Sequence, residues 1–149
     1  MAVLIDTSIL VRLADVLDPQ YPVAALAIAR LHRSGESVHI TPQNLVEFRS
    51  VATRPLNVNG LGFSSSEADR ESANFEAQFL MLDDSPDVFA AWKAVVSSLG
   101  IVGKQVHDAR LVAVCHVRGV PRLLTFNDGH FTRMANSGPG LVVLHPSKV

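Results

Sequence analysis

Ala2-Val3-Leu4-Ile5 is a short run with no polar break, and short apolar-rich runs recur at residues 38–40, 79–82, 122–125 and 141–144. A run of three to five consecutive apolar residues, far too short for a buried helix, reads as a strand covered on both faces. Between these runs the apolar spacing changes to three and four, the period of a helix. Strands that alternate with helices pair in parallel and need helices on each side of the sheet. The sequence therefore predicts an α/β chain: a three-layer α/β/α domain around a central parallel sheet of about five strands. Residues 1–149 form one domain, and a 48% hydrophobic content is ample for its core.

The helices have recognisable ends. Thr7 and Ser8 suit the N-cap of a helix carrying Ile9, Leu10 and Leu13, broken at Asp18-Pro19. Residues 21–32 place Val23, Leu26, Ala27 and Leu31 on one stripe. Thr41-Pro42 starts a helix that runs to about residue 53, and further helices are expected over 66–78 and from Ser85-Pro86 to 99. Residues 104–118 are apolar nearly all round, which predicts a central, buried helix ended by Gly119. Residues 55–66 lack periodicity and are expected to be a mobile loop.

Charge and composition exclude several functions. Thirteen basic against fourteen acidic side chains give a net charge of -1, so no strongly basic field coats nucleic acid. A nucleic-acid enzyme with a local basic rim is still compatible with that balance. Charged residues are 18% of the chain, below the roughly 25% usual in soluble domains, which leaves apolar surface for a partner or a dimer. No stretch approaches the roughly 18 apolar residues of a membrane span, and the first residues lack the pattern of a signal peptide. The single cysteine, Cys115, lies in an apolar run and reads as core, so a reducing, cytoplasmic setting is expected. Phosphate-loop, dinucleotide, zinc-protease and serine-elbow motifs are absent, and the six histidines lack compact metal spacing.

The carboxylates are more informative. Asp6 ends the first strand, and open α/β sheets assemble ligand sites at strand ends. An Asp there also caps a following helix. Asp108 shares its side of the 104–118 helix with Leu111, Val112 and Cys115, so it points toward apolar neighbours. Burying an isolated carboxylate costs several kcal/mol, on the order of 2–7 for a polar group alone, unless a cation or donor cluster receives it. A first-turn Asp that offsets the helix dipole is the competing explanation. Glu47 lies at the edge of the stripe of Leu45, Phe48 and Ala52, where a solvated helix face would also place it. After the fourth strand, Thr125, Asn127, Asp128 and His130 form a second polar cluster, in a sequence that also suits a turn and helix cap. Oxygen donors converging on one sheet edge suit Mg²⁺ or Mn²⁺ rather than zinc.

The ordered segments Val3-Leu4-Ile5-Asp6-Thr7-Ser8, Asn44-Leu45-Val46-Glu47-Phe48, His107-Asp108-Ala109-Arg110-Leu111-Val112-Ala113 and Leu124-Thr125-Phe126-Asn127 resemble the PIN-domain nucleases, and most of all the VapC-type toxins of bacterial toxin–antitoxin pairs. The resemblance spans residues 2 to about 144. It implies divalent-metal-dependent hydrolysis of RNA, with Asp6, Glu47 and Asp108 as the catalytic acids and metal ligands. Thr7 or Ser8 would position a water, and Thr125 would hydrogen-bond Asp6. Many relatives carry a fourth acid where this chain has Asn127 and His130, which makes Asp128 the remaining candidate metal ligand at that place. Arg12, Arg49, Arg54, Lys104 and Arg110 fall near the acidic edge and are expected to engage RNA phosphates. The resemblance also implies a small antitoxin bound in an apolar groove, with the Ile9, Leu10 and Leu13 helix and the Phe63 loop as contact surfaces, and a homodimer. Two other readings remain: a PIN-like binding module without catalysis, and another Mg²⁺-dependent phosphoryl-transfer hydrolase, for which Ser8 stands where a second Asp would be wanted.

Overall fold

The computed structural model describes all 149 residues. Its five strands are β1 (Ala2–Ile5), β2 (Ser37–Ile40), β3 (Leu80–Met81), β4 (Arg122–Leu124) and β5 (Val142–Leu144). All are parallel, in the order β3-β2-β1-β4-β5. The central strand β1 places Leu4 opposite His39 of β2 and Leu123 of β4. The chain leaves β1 toward β2 on one side and later returns to β4 on the other, so the order reverses between β1 and β4. Sheets of this kind open a crevice at such a reversal, outside the carboxyl ends of the strands.

Successive residues of a strand face opposite sides. Val3 and Ile5 accordingly pack with Ile9, Leu10, Ile28, Phe48 and Phe75 in one core, whereas Leu4 packs with Val112, Cys115, Leu123 and Phe131 in the other. The first core joins helices α1 (Thr7–Leu13), α2 (Tyr21–Arg33), α3 (Pro42–Thr53) and α4 (Ser65–Gln78). The second joins α5 (Pro86–Leu99), α6 (Gln105–Arg118) and α7 (Asp128–Ala135). The three layers expected from the alternation are present, and α6 is central: its residues 111–115 are all buried. Gly119 ends it at φ 66°, a conformation that suits glycine.

Several local expectations need correction. The N-cap of α1 is Asp6, whose side chain accepts from the Thr7 amide, and Thr7 and Ser8 lie inside the helix, their hydroxyls turned to Glu47 and to the loop after β4. Helix α4 begins at Ser65 behind a reciprocal Ser64–Glu67 capping box. Ile9 and Leu10 are fully buried under the sheet, and Leu13 and Phe63 pack against the same core, so the expected contact helix turns its apolar face inward. Exposed apolar side chains instead occur at Val16, Leu17, Val46, Leu56 and Val58. The stretch 55–66 is anchored rather than loose. It contains a 3₁₀ turn at Leu56–Val58 and returns the amides of Leu61, Gly62 and Phe63 to the carbonyls of Val51, Arg54 and Ala52.

That anchoring brings backbone against backbone at Gly60, where an added Cβ would lie 1.9 Å from the Arg54 carbonyl oxygen. Gly60→Ala is expected to cost about 1–3 kcal/mol through this overlap. Gly35→Ala, with open space around it, pays only the strain of its positive φ. Urea unfolding of the two variants checks the comparison; equal losses would contradict it.

Candidate active site

The β1/β4 crevice is lined by polar groups that the fold holds from several elements. Asp6, 5% exposed, follows β1 and uses both carboxylate oxygens: Oδ1 accepts from the Thr7 amide at 2.8 Å and Oδ2 from the Thr125 hydroxyl at 2.7 Å. The Thr125–Asp6 bond expected from the resemblance is therefore present. Thr125 is fully buried at the end of β4, and its oxygen accepts from the Asn127 amide at 2.9 Å. Its single proton goes to Asp6, so the 3.4 Å contact with Ser8 has the Ser8 hydroxyl as donor. The Ser8 oxygen also accepts from the Phe126 amide at 3.2 Å. Ser8 thus ties α1 to the loop after β4.

Glu47 reaches the same crevice from α3, where Thr7 donates to its Oε1 at 2.8 Å. A buried residue outside the expected set orders this contact: Asn44 donates from Nδ2 to the Thr7 oxygen at 3.2 Å, while its Oδ1 accepts from the amide and hydroxyl of Thr41. Asn44 at the third position of α3 therefore caps that helix and orients Thr7 together. Gln43 is the second residue the sequence left unassigned. It donates to the His107 carbonyl at 2.8 Å and accepts from Arg110 at 3.1 Å, clasping α3 to α6.

Asp108 lies in the first turn of α6 with its side chain 25% exposed, 3.8 Å from the His130 ring. Burial, then the Asp6 carboxylate, push its pKa up to about 6, and His130 opposes them. Burial also raises Glu47, with Thr7 opposing and the Asp6 charge adding to the rise. The dipole of α6 explains an Asp in its first turn, and capping explains Asp6. Neither explains why three acids from a strand end and two helices face one another closely enough to disfavour their own charges.

The other expected residues are placed less centrally. Asp128 and Asn127 are exposed at the start of α7. Arg12 lies 3.8 Å from Asp18 and over the Phe126 ring. Arg49 pairs with Asp69 and donates to Ser65 on α4, and Arg54 donates back to its own helix at Ser50. Arg110 reaches Asp84 at 3.0 Å, and exposed Lys104 stands at the N-cap position of α6 without a side-chain capping bond. Cys115 is buried, with its thiol pushed up to about 12, consistent with a core role.

A doubly wound parallel sheet with acids at its switch point is a class of architecture, and the family follows from the sequence. The PIN domain model matches residues 3–137, and the chain belongs to that family. No curated protein sequence matches it. Among solved structures, it resembles VapBC2 from Rickettsia felis bound to a fragment of promoter DNA, at 15% identity and TM-score 0.71, covering 97% of this chain and 98% of that one. VapBC-1 from nontypeable Haemophilus influenzae is similar at 14% identity and TM-score 0.69, with 99% and 100% covered. VapC20 of Mycobacterium tuberculosis, a toxin that cleaves the sarcin-ricin loop, gives 18% identity and TM-score 0.60, with 81% and 86% covered.

The raised pKa of Asp108 has a sign that can be measured. Its protonated form favours the fold, so the associated stability is fully present below the ordinary value of 3.8 and lost as pH rises through about 6. Without divalent cations, Asp108→Asn is expected to be more stable than the native chain at neutral pH, by up to about 3 kcal/mol. The advantage shrinks as pH falls toward 4. Thermal melts in chelator across that range check this; a variant less stable at neutral pH would contradict it.

Proposed function

We propose that the chain is a divalent-metal-dependent endoribonuclease, a hydrolase of RNA phosphodiester bonds, and the toxin of a toxin–antitoxin pair acting in the cytoplasm. The observation that carries the reading is that Asp6, Glu47 and Asp108 gather at the switch point, the first two held by neutral hydroxyl and amide donors and the third beside His130, with no Lys or Arg paired to any of the three. Like charges held this way call for a cation from outside the chain. Their donors are all oxygens, which fits Mg²⁺ or Mn²⁺. As the side chains stand, no three acids, histidines or cysteine converge on one point to hold an ion, so binding requires the carboxylates to rearrange. Asp6, Asp108 and Glu47 would hold the metal, with Asp128 the outermost candidate ligand. When bound, such an ion lowers the pKa of water and neutralises the phosphate.

The chain's own groups supply the rest. Thr125 and the Thr7 amide lock the Asp6 carboxylate, so it needs little reordering when substrate arrives. Glu47, its proton affinity raised by burial, takes a proton from the attacking water. Thr7 keeps its carboxylate in place. Arg110, two residues from Asp108 on α6, would attract the RNA backbone together with Arg12 and Lys104, with Arg49 and Arg54 farther along α3. The VapBC relatives support an antitoxin partner, for which the exposed Val16, Leu17, Val46, Leu56 and Val58 supply apolar surface, and a homodimer is the expected assembly.

The test is cleavage of mixed cellular RNA by the purified, antitoxin-free chain. Mg²⁺ or Mn²⁺ should support cleavage and chelator abolish it. Asp6→Asn and Asp108→Asn, verified as folded, should each reduce it on the order of a hundredfold or more. Cleavage indifferent to chelator would overturn the metal role. No cleavage by the metal-supplied native chain would favour a binding module, and hydrolysis of a small phosphomonoester instead would favour another phosphoryl-transfer enzyme.

A further inference from the structure

Beside the acids, between α5 and α6, lies an open cavity of about 430 Å³ lined by Phe89, Trp92, Val106, His107 and Arg110. Its character differs from the rest of the surface. Phe89 is 66% exposed, and its ring stands 5.8 Å from that of Trp92. The indole donates to the Val106 carbonyl at 2.7 Å, which fixes the orientation of the ring. One wall is therefore aromatic, with the fixed indole of Trp92 and the exposed ring of Phe89 tilted 34° to it. The other carries a guanidinium and an imidazole from the turn of α6 that also bears Asp108. Gln43, bonded to both Arg110 and the His107 carbonyl, joins this wall to the helix of Glu47.

We propose that this cavity is a subsite for an unpaired nucleotide of the RNA, its base stacked on Phe89 and Trp92 and its phosphate against Arg110. The inference rests on the ribonuclease reading and deepens it, because it makes the substrate a single-stranded segment. An aromatic platform accepts any base with a free face, whereas a base inside a duplex has no face to offer. Arg110 is held half-open by Gln43 and Asp84, both of which a phosphate replaces as an acceptor. Exposed Lys93, one helical turn beyond Phe89, adds positive charge on the same face.

Trp92 is the only tryptophan, so its fluorescence reports directly on the cavity. The experiment titrates the full chain, in chelator to prevent cleavage, with a ten-nucleotide single-stranded RNA and with a duplex of the same length. The single strand should quench Trp92 and the duplex should leave it unchanged. Phe89→Ala should weaken binding about five- to a hundredfold, the usual range for losing one stacking partner. Val142→Ala, at the opposite edge of the sheet, should not alter it. Absence of quenching while metal-dependent RNA cleavage persists overturns the subsite and leaves the ribonuclease intact. Equal quenching by duplex overturns it as well. If Phe89→Ala instead converts a dimer to a monomer and RNA leaves Trp92 unchanged, the cavity is a contact between copies and the proposal fails. Quenching by single-stranded RNA in a chain that cleaves nothing supports the subsite and removes the nuclease.

Discussion

Three carboxylates that repel one another sit at the one place where the sheet reverses its order, and the surrounding structure is organised around holding them there. Asp6 is tied by its own helix and by β4, Glu47 by Thr7, and Asp108 by its seat in α6. The donors are hydroxyls and amides, which position a carboxylate without cancelling its charge. A buried lysine in their place would make the site self-sufficient and close it to a cation. The raised pKa values of Glu47 and Asp108 express the same arrangement.

The scaffold explains how the chain tolerates that cost. Strand β1 is buried on both faces, with Val3 and Ile5 in one core and Leu4 in the other, so its carboxyl end has little freedom. Helix α6 is packed along residues 111–115, which fixes Asp108 one turn away. Between α3 and α6, Gln43 closes the seam, and Asn44 sets both the start of α3 and the direction of Thr7. The stability of two apolar layers thus supports a polar edge that is unfavourable by itself.

Much of this was legible in the chain. The unbroken apolar run of β1, the short apolar-rich runs at β2 and β4 and the alternation with helices sufficed for the layered parallel sheet. Asp6 and Asp108 stood out as acids where hydrophobic neighbours were due. Asn44 and Gln43 were harder to see, since a polar residue in a first helical turn has an ordinary surface explanation and their partners are distant in sequence. The inward face of α1 is hidden for a related reason: Ile9 and Leu10 read as available to a partner in the sequence alone, and only the sheet packed over them shows them buried. The loop at 55–66 lacks periodicity yet is anchored, because its order comes from backbone bonds to α3, which leave no pattern in the side chains.

The central claim is that Asp6, Glu47 and Asp108 form one cation site. Crystals grown with Mn²⁺ and measured by anomalous diffraction test it most directly. The account predicts an anomalous peak within ligand distance, about 2.0–2.3 Å, of oxygens from at least two of these three acids. Manganese bound elsewhere on the chain, with this cluster empty at saturating concentration, would contradict it.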